Sequence, residues 1–289
     1  MRDLMLLPRL KRLDDVALLA LRLLTGAFLV WEMWFNISSA ETMRLVVGFF
    51  RDNGFAYPEF FAPLSAWAQF LIGLALIAGL ATRWAGLLLA FNFVVGMIMV
   101  HLDDSFREQW PALSLLFVGL FFFAWGGGRH ALDAWLKRPL LTLPRMARLK
   151  DEALLALRHV TGAFLVHGVW DNIISNERMQ EFVGFLATFG FAQPSLLAPL
   201  SVYAQFLIGL ALILGLLVRW AGLVLAFNFI VAVAMVHWAE GFRGWWPAII
   251  LVALGFLFAT IGAGRYALDR LLERGRNDDR DTAEATAAR

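Results

Sequence analysis

The chain has 289 residues, of which 60% are hydrophobic and only 17% charged, and its formal net charge is +2. That balance excludes a soluble globular domain or a disordered chain, which carry far more charge per residue. The absence of cysteine excludes disulfide exchange, cysteine-ligated iron–sulfur clusters and thiolate metal sites within the chain.

Taken in chain order, Arg2, Arg9, Lys11 and Arg12 precede an apolar run at 16–35. No small-residue cleavage site follows, so the run reads as a retained membrane helix rather than a removed signal. Next comes a more polar stretch, Asn36 to Asn53, in which Ser39 can cap a short helix with Glu41 in its first turn. Met43, Val46, Val47 and Phe50 oppose Arg44, Arg51 and Asp52, the pattern of a helix lying in the interface plane. Pro63 is expected to open a second membrane helix over 63–82. The tight Arg83 turn leads at once into a third over 84–100, so these two helices are predicted to pack closely through Gly73, Gly79 and Gly86. The third ends at His101, an acidic loop runs to Arg107, and a fourth run at 110–125 stops at Gly126-Gly127-Gly128. This fourth run is short enough to predict little tilt or local bilayer thinning. Arg129 to Lys137 follows as an amphipathic interfacial segment.

The chain then repeats itself. Residues 17–133 and 153–269 align without a gap at a constant offset of 136, so that Asn92 returns as Asn228, His101 as His237 and Trp110-Pro111 as Trp246-Pro247. Apolar runs recur at 152–170, 199–218, 220–238 and 246–261. The predicted fold is therefore all-α and integral to the membrane: eight transmembrane helices in two tandem four-helix bundles, with interfacial amphipathic helices. Four helices per copy is an even number, which predicts a parallel repeat about a pseudo-two-fold axis along the membrane normal. The expected units are 1–137, a linker at 138–150, 151–272, and a disordered charged tail at 273–289.

Of the 25 Lys and Arg residues, only Arg44, Arg51, Arg107, Arg178 and Arg243 fall in the loops after odd-numbered helices. This bias predicts that both termini and the 129–150 linker face the cytoplasm of a bacterial inner membrane. It also implies contact with anionic lipid rather than nucleic acid.

Several motifs resemble the DoxX/DoxD family. They are Gly79-Leu80-Ala81-Thr82-Arg83 between the second and third helices, and Gly126-Gly127-Gly128-Arg129-His130-Ala131-Leu132-Asp133 after the fourth. The second copy repeats them at Gly215 to Arg219 and at Gly262-Ala263-Gly264-Arg265-Tyr266-Ala267-Leu268-Asp269. Phe164-Leu165-Val166-His167-Gly168 resembles the family's first-helix pattern of an aromatic, two apolar residues and His-Gly. The resemblance spans each copy almost end to end and implies a four-helix membrane bundle. It further implies a subunit of a quinone-linked system, since the best-known members belong to a thiosulfate:quinone oxidoreductase. Two departures stand out: two units are fused here, and the first copy has Trp31-Glu32 in place of His-Gly. The family's frequent Lys four residues after that His is replaced by Phe35 or Asp171.

Ionisable groups near the bilayer core are costly unless paired or hydrated, which makes each a candidate site. His167 and Asp171 are one helical turn apart and share a face, so they can exchange protons with a bound quinone carbonyl or other ligand; Glu32 is their nearest counterpart in the first copy. His101 with Arg107, and His237 with Arg243, can bind an anion at the outer mouth. His237 and Arg243 are expected to complete the half-site of His167 and Asp171. A haem between His101 and His237 would need supporting partners on the far ring nitrogens, and no such pattern is visible. Trp34, Trp110, Trp170, Trp245 and Trp246 fit an outer aromatic belt, with Trp34 and Trp170 also placed to stack on a ligand ring. Gln69, Gln205, Asn92 and Asn228 read as inter-helix hydrogen-bonding amides, and Arg22 and Arg158 as snorkelling anchors.

The leading functional expectation is an integral subunit that supplies a quinone pocket or a membrane anchor to a redox partner, itself a membrane or periplasmic protein. A scaffold beside a larger complex, and a small-molecule or ion permease, are the alternatives. A permease would need facing polar groups through the full bilayer depth, whereas these gather at one side.

Overall fold

The structure is a computed structural model that describes residues 7–137 and 143–270. The expected tail beyond 273 and the start of the linker lie outside the described residues. Among those described, every regular element is helical. Seven helical stretches are long and apolar enough to cross a membrane, and the last of them, Val218–Ile261, covers 44 residues.

In the first half, α1 (Asp14–Ser38) is followed by α2 (Ala40–Asp52), α3 (Pro58–Ala78), α4 (Thr82–Met99), α5 (Phe106–Trp125) and the single turn α6 (Leu132–Leu136). The second half repeats the order as α7 (Lys150–Ile174), α8 (Asn176–Thr188), α9 (Pro194–Leu214), α10 (Val218–Ala232) and α11 (Gly241–Ile261). Short 3-10 turns at Pro8–Leu13 and Pro144–Leu149 lead into α1 and α7. Helix α10 runs on through a π turn (Val233–His237) and a 3-10 turn (Trp238–Glu240), where the 44-residue stretch folds back so that α10 and α11 pack side by side.

Local chemistry explains the boundaries. Ser39 Oγ accepts from the amides of Glu41 and Thr42, and Ser175 Oγ from that of Arg178, so both short helices α2 and α8 are capped as expected. The second membrane helix starts earlier than its sequence suggests. Pro58 and Pro194 occupy the first turns, and Pro63 and Pro199 fall inside the helix. The fourth helix is likewise longer than its apolar run, at 20 residues, because Ser105 and Glu108 form a reciprocal capping box and draw polar residues into the first turn. The thinning expected of a short span is not required.

Glycine pairs decide which helices touch. A Cβ on Gly26 would lie 2.7 Å from the Gly73 carbonyl oxygen, and one on Gly86 would lie 2.6 Å from that of Gly119. The second half repeats both contacts at Gly162–Gly209 and Gly222–Gly255. The close approaches therefore join α1 to α3 and α4 to α5, rather than α3 to α4 as the tight turn had suggested.

The two halves interlock reciprocally. Helix α5 packs on α7, and α11 packs on α1. Trp110 stacks on Phe164 at 4.1 Å between ring centroids, and Trp246 stacks on Phe28 at 4.0 Å. Both tryptophans are buried, with Trp110 0% and Trp246 1% exposed, so these two are core rather than aromatic belt. Their indole N–H groups donate to the Pro247 carbonyl and to Ser114 Oγ across the same seam.

Candidate functional site

At the linker end, the residues of the glycine-rich motifs form a structural knot. Asp133 accepts from the amides of Ala81 (2.7 Å) and Thr82 (2.8 Å), closing the turn between α3 and α4. Asp269 does the same for Leu217 and Val218. Arg83 donates to the carbonyls of Phe123, Ala124 and Trp125 at the end of α5, where the helix dipole is negative. Arg219 repeats this on Ala259, Thr260 and Ile261. Arg22 (1% exposed) and Arg158 (0%) donate to the carbonyls of His130 and Tyr266. They are buried ties within the knot and do not snorkel.

The opposite, histidine end holds an open cavity of about 680 Å³ in the second half. It lies between the end of α7, the short helix α8, α9, and the start of α5 from the first half. His167, Asp171, Arg107, Arg178, Glu181 and Gln205, with Ser105 and Asn172, supply its polar lining, and Val169, Phe182, Phe185 and Val202 its apolar wall. Arg107 is fixed by donating to the Gly168 carbonyl at 2.7 Å. Arg178 is paired with Glu181 at 2.8 Å, and this hydrogen bond followed by the Glu181 charge raises its pKa further, making it a permanent cation. The His167 ring meets the edge of Phe106 at 5.3 Å, and neither ring nitrogen makes a hydrogen bond among the described residues. The cavity thus offers an imidazole, two guanidinium groups and two carboxylates, Asp171 and Glu181, beside an aromatic wall.

Gln205 Nε2 donates to Ser201 Oγ, which donates to Asn228 Oδ1. The same chain links Gln69, Ser65 and Asn92, so Asn92 and Asn228 bond between helices as expected, whereas Gln69 and Gln205 bond within their own helices. Gln205 additionally faces the cavity.

The structure brings His167 and Asp171 to one cavity but pairs the half-sites across the repeat. Arg107 of the first half reaches His167-Gly168 of the second, while Arg243 of the second half pairs with Glu32 of the first at 2.9 Å. His237 and Arg243 therefore do not complete the His167 site. His101 and His237 are engaged in their own loops, bound through Nδ1 to Asp104 (2.7 Å) and Glu240 (2.9 Å). Neither histidine joins an arginine at an anion site. Trp34 and Trp170 lie at the half-exposed margin against Phe70 and Phe206, away from the cavity lining. Among the described residues no cluster of His, Cys, Asp or Glu could hold a metal ion.

Sequence reasoning missed Arg178, Glu181, Phe182 and Phe185 on α8. The signal was present in the comparison of the copies, because their counterparts are Thr42, Leu45, Val46 and Phe49. Where the second half is polar and open, the first places Trp31 and Phe35 in edge contact and closes with the Glu32–Arg243 pair.

A model of the DoxX family matches residues 17–102 and 153–238. The chain belongs to the DoxX family. It is a multi-pass membrane protein that carries the DoxX unit twice. Each DoxX match contains three of the long helices and ends at the histidine loop, so α5, α11 and the motifs after them lie beyond it. No curated protein and no solved structure matches the chain.

Proposed function

We propose that this DoxX-family chain is the membrane subunit of a quinone-linked oxidoreductase system, and that the cavity at His167 receives the quinone head group. In this reading Val218–Ile261 crosses the membrane twice, giving eight crossings in two bundles related by a pseudo-two-fold axis along the membrane normal. The linker end faces the cytoplasm of the inner membrane and the histidine end faces outward. Lys and Arg bias supports that orientation, and the reciprocal Trp110–Phe164 and Trp246–Phe28 stacks support the axis.

One observation carries the functional reading. An imidazole that makes no hydrogen bond among the described residues stands at the end of a membrane helix, in a cavity with one charged and one aromatic wall. A quinone carbonyl needs a proton donor within hydrogen-bond reach, and its ring needs a flat apolar surface. His167 and Asp171 serve the first need, and Phe182 and Phe185 the second. The redox partner docks at the histidine end and supplies or removes the electrons.

The test is photo-crosslinking or thermal-shift titration of the purified chain with a short-chain quinone analogue. His167→Ala should abolish the response at unchanged folded yield, and Trp31→Ala should leave it intact. If His167→Ala binds the analogue as the wild type does, the cavity is not a quinone site, and a scaffold subunit becomes the better reading. Orientation is tested separately with Asn53→Cys and Lys137→Cys in this cysteine-free chain, where only the first should label from outside sealed cells.

A further inference from the structure

The two 3-10 turns, Pro8–Leu13 and Pro144–Leu149, are copies of one another at the same offset of 136 as the rest of the repeat. Arg9, Arg12 and Leu13 correspond to Arg145, Arg148 and Leu149. Each turn enters through a leucine in the left-handed region (Leu7 φ 44°, Leu143 φ 39°) and packs on the last long helix of the other half, the first on α11 and the second on α5. They form a pair of collars across the seam between the halves.

The membrane spans that begin in these collars are 30 and 31 residues long, well beyond the ~20 that cross a bilayer core. The excess places the collars at the head-group surface. Their inward residues, Leu10 and Met146, are partly buried, while Arg9, Arg12, Arg145 and Arg148 are exposed and make no hydrogen bond or ion pair among the described residues. Among the described residues no nearby carboxylate pairs with them: Asp14 accepts only the amide of Asp15. Asp15 is held by Arg129, Asp151 accepts the Arg265 amide, and Glu152 accepts the Tyr266 hydroxyl. Beside these exposed arginines, Leu13 (50% exposed) and Leu149 (37%) offer an apolar skirt.

We infer that each collar binds the phosphate of an anionic phospholipid, whose chains lie along the seam between the halves. Paired guanidinium groups suit a phosphodiester, and the adjoining leucines suit acyl chains, which a soluble phosphate lacks. The lipid acts as a clamp, since each collar belongs to one half and rests on the other.

The experiment uses the full chain in mild detergent, delipidated and then titrated with phosphatidylglycerol, phosphatidylcholine or inorganic phosphate. Thermal unfolding and native mass spectrometry supply the readouts. Phosphatidylglycerol should raise the unfolding temperature and remain bound at both collars, while the other two probes should do neither. Arg9→Gln with Arg12→Gln should remove one of the bound lipids, and adding Arg145→Gln with Arg148→Gln should remove the other. Each lost charge should weaken binding about fivefold. Equal stabilisation by phosphatidylcholine or inorganic phosphate overturns the inference, as does lipid binding by the fourfold variant at wild-type strength. If that variant does not fold, the wild type decides through salt, because phosphatidylglycerol retained unchanged in concentrated salt would show that no head-group charge is recognised.

Discussion

At the scale of single residues, position 168 separates the two halves most sharply. Its counterpart is Glu32, which binds Arg243, whereas Gly168 leaves Arg107 with only a backbone carbonyl. A Cβ at Gly168 meets nothing within 4 Å, so the backbone there leaves room for a side chain to start. Gly168→Glu should therefore fold normally, pair with Arg107 and close the cavity. The expected outcome is an unchanged unfolding temperature with loss of quinone-analogue crosslinking. A variant that binds as well as wild type would place the ligand elsewhere. Asp133 gives a contrasting prediction, because its role is structural. Two backbone donors converge on its buried carboxylate, so Asp133→Ala strands both. It should cost about 2–4 kcal/mol in a denaturation titration, with any ligand affinity of the remaining folded protein unchanged.

At the scale of elements, packing is set by where two helix backbones can touch. Gly26 and Gly73 face one another so closely that Gly26→Ala sets a methyl 2.7 Å from a carbonyl oxygen. Such overpacking should cost about 1–3 kcal/mol, read as a lower unfolding temperature, while Gly48→Ala on the open face of α2, where a Cβ meets nothing within 4 Å, should cost far less. Periodicity found these helices because apolar runs of this length have few alternatives. It could not find their neighbours, since lipid-facing and helix-facing surfaces of a membrane helix are equally apolar. The tight Arg83 turn pointed to α3 and α4 as the close pair, yet a short connection constrains only the ends of two helices. The fourth helix was under-measured for a related reason. Its first turn is polar, and its true start is fixed by the Ser105–Glu108 cap rather than by hydropathy.

At the scale of the whole molecule, the linker joins two halves that already hold one another. Trp110 and Trp246 each bury an indole in the opposite half. Halves produced as separate chains divided within 138–142 should consequently copurify when coexpressed. Trp110→Ala together with Trp246→Ala should abolish that copurification, at a cost of about 3–5 kcal/mol for each lost indole. Halves that never associate would mean that the covalent linker, and not the seam, maintains the pair.

The sequence by itself determined the membrane class, the repeat at a fixed offset, the short helices with their serine caps and, through resemblance, the family. The first three follow from composition, periodicity or local chemistry along the chain, and the family from the resemblance of its motifs. It also singled out His167 and Asp171, because ionisable groups are conspicuous within apolar runs. The tertiary structure alone decided that Arg107 serves the second half and Arg243 the first, that Trp110 and Trp246 are core, and that Arg22 and Arg158 are buried. Those outcomes depend on which surfaces of two similar halves meet. A contact between residues 61 apart, such as Arg107 with Gly168, has no signature in local pattern, because it is created only when α5 of one half crosses to α7 of the other.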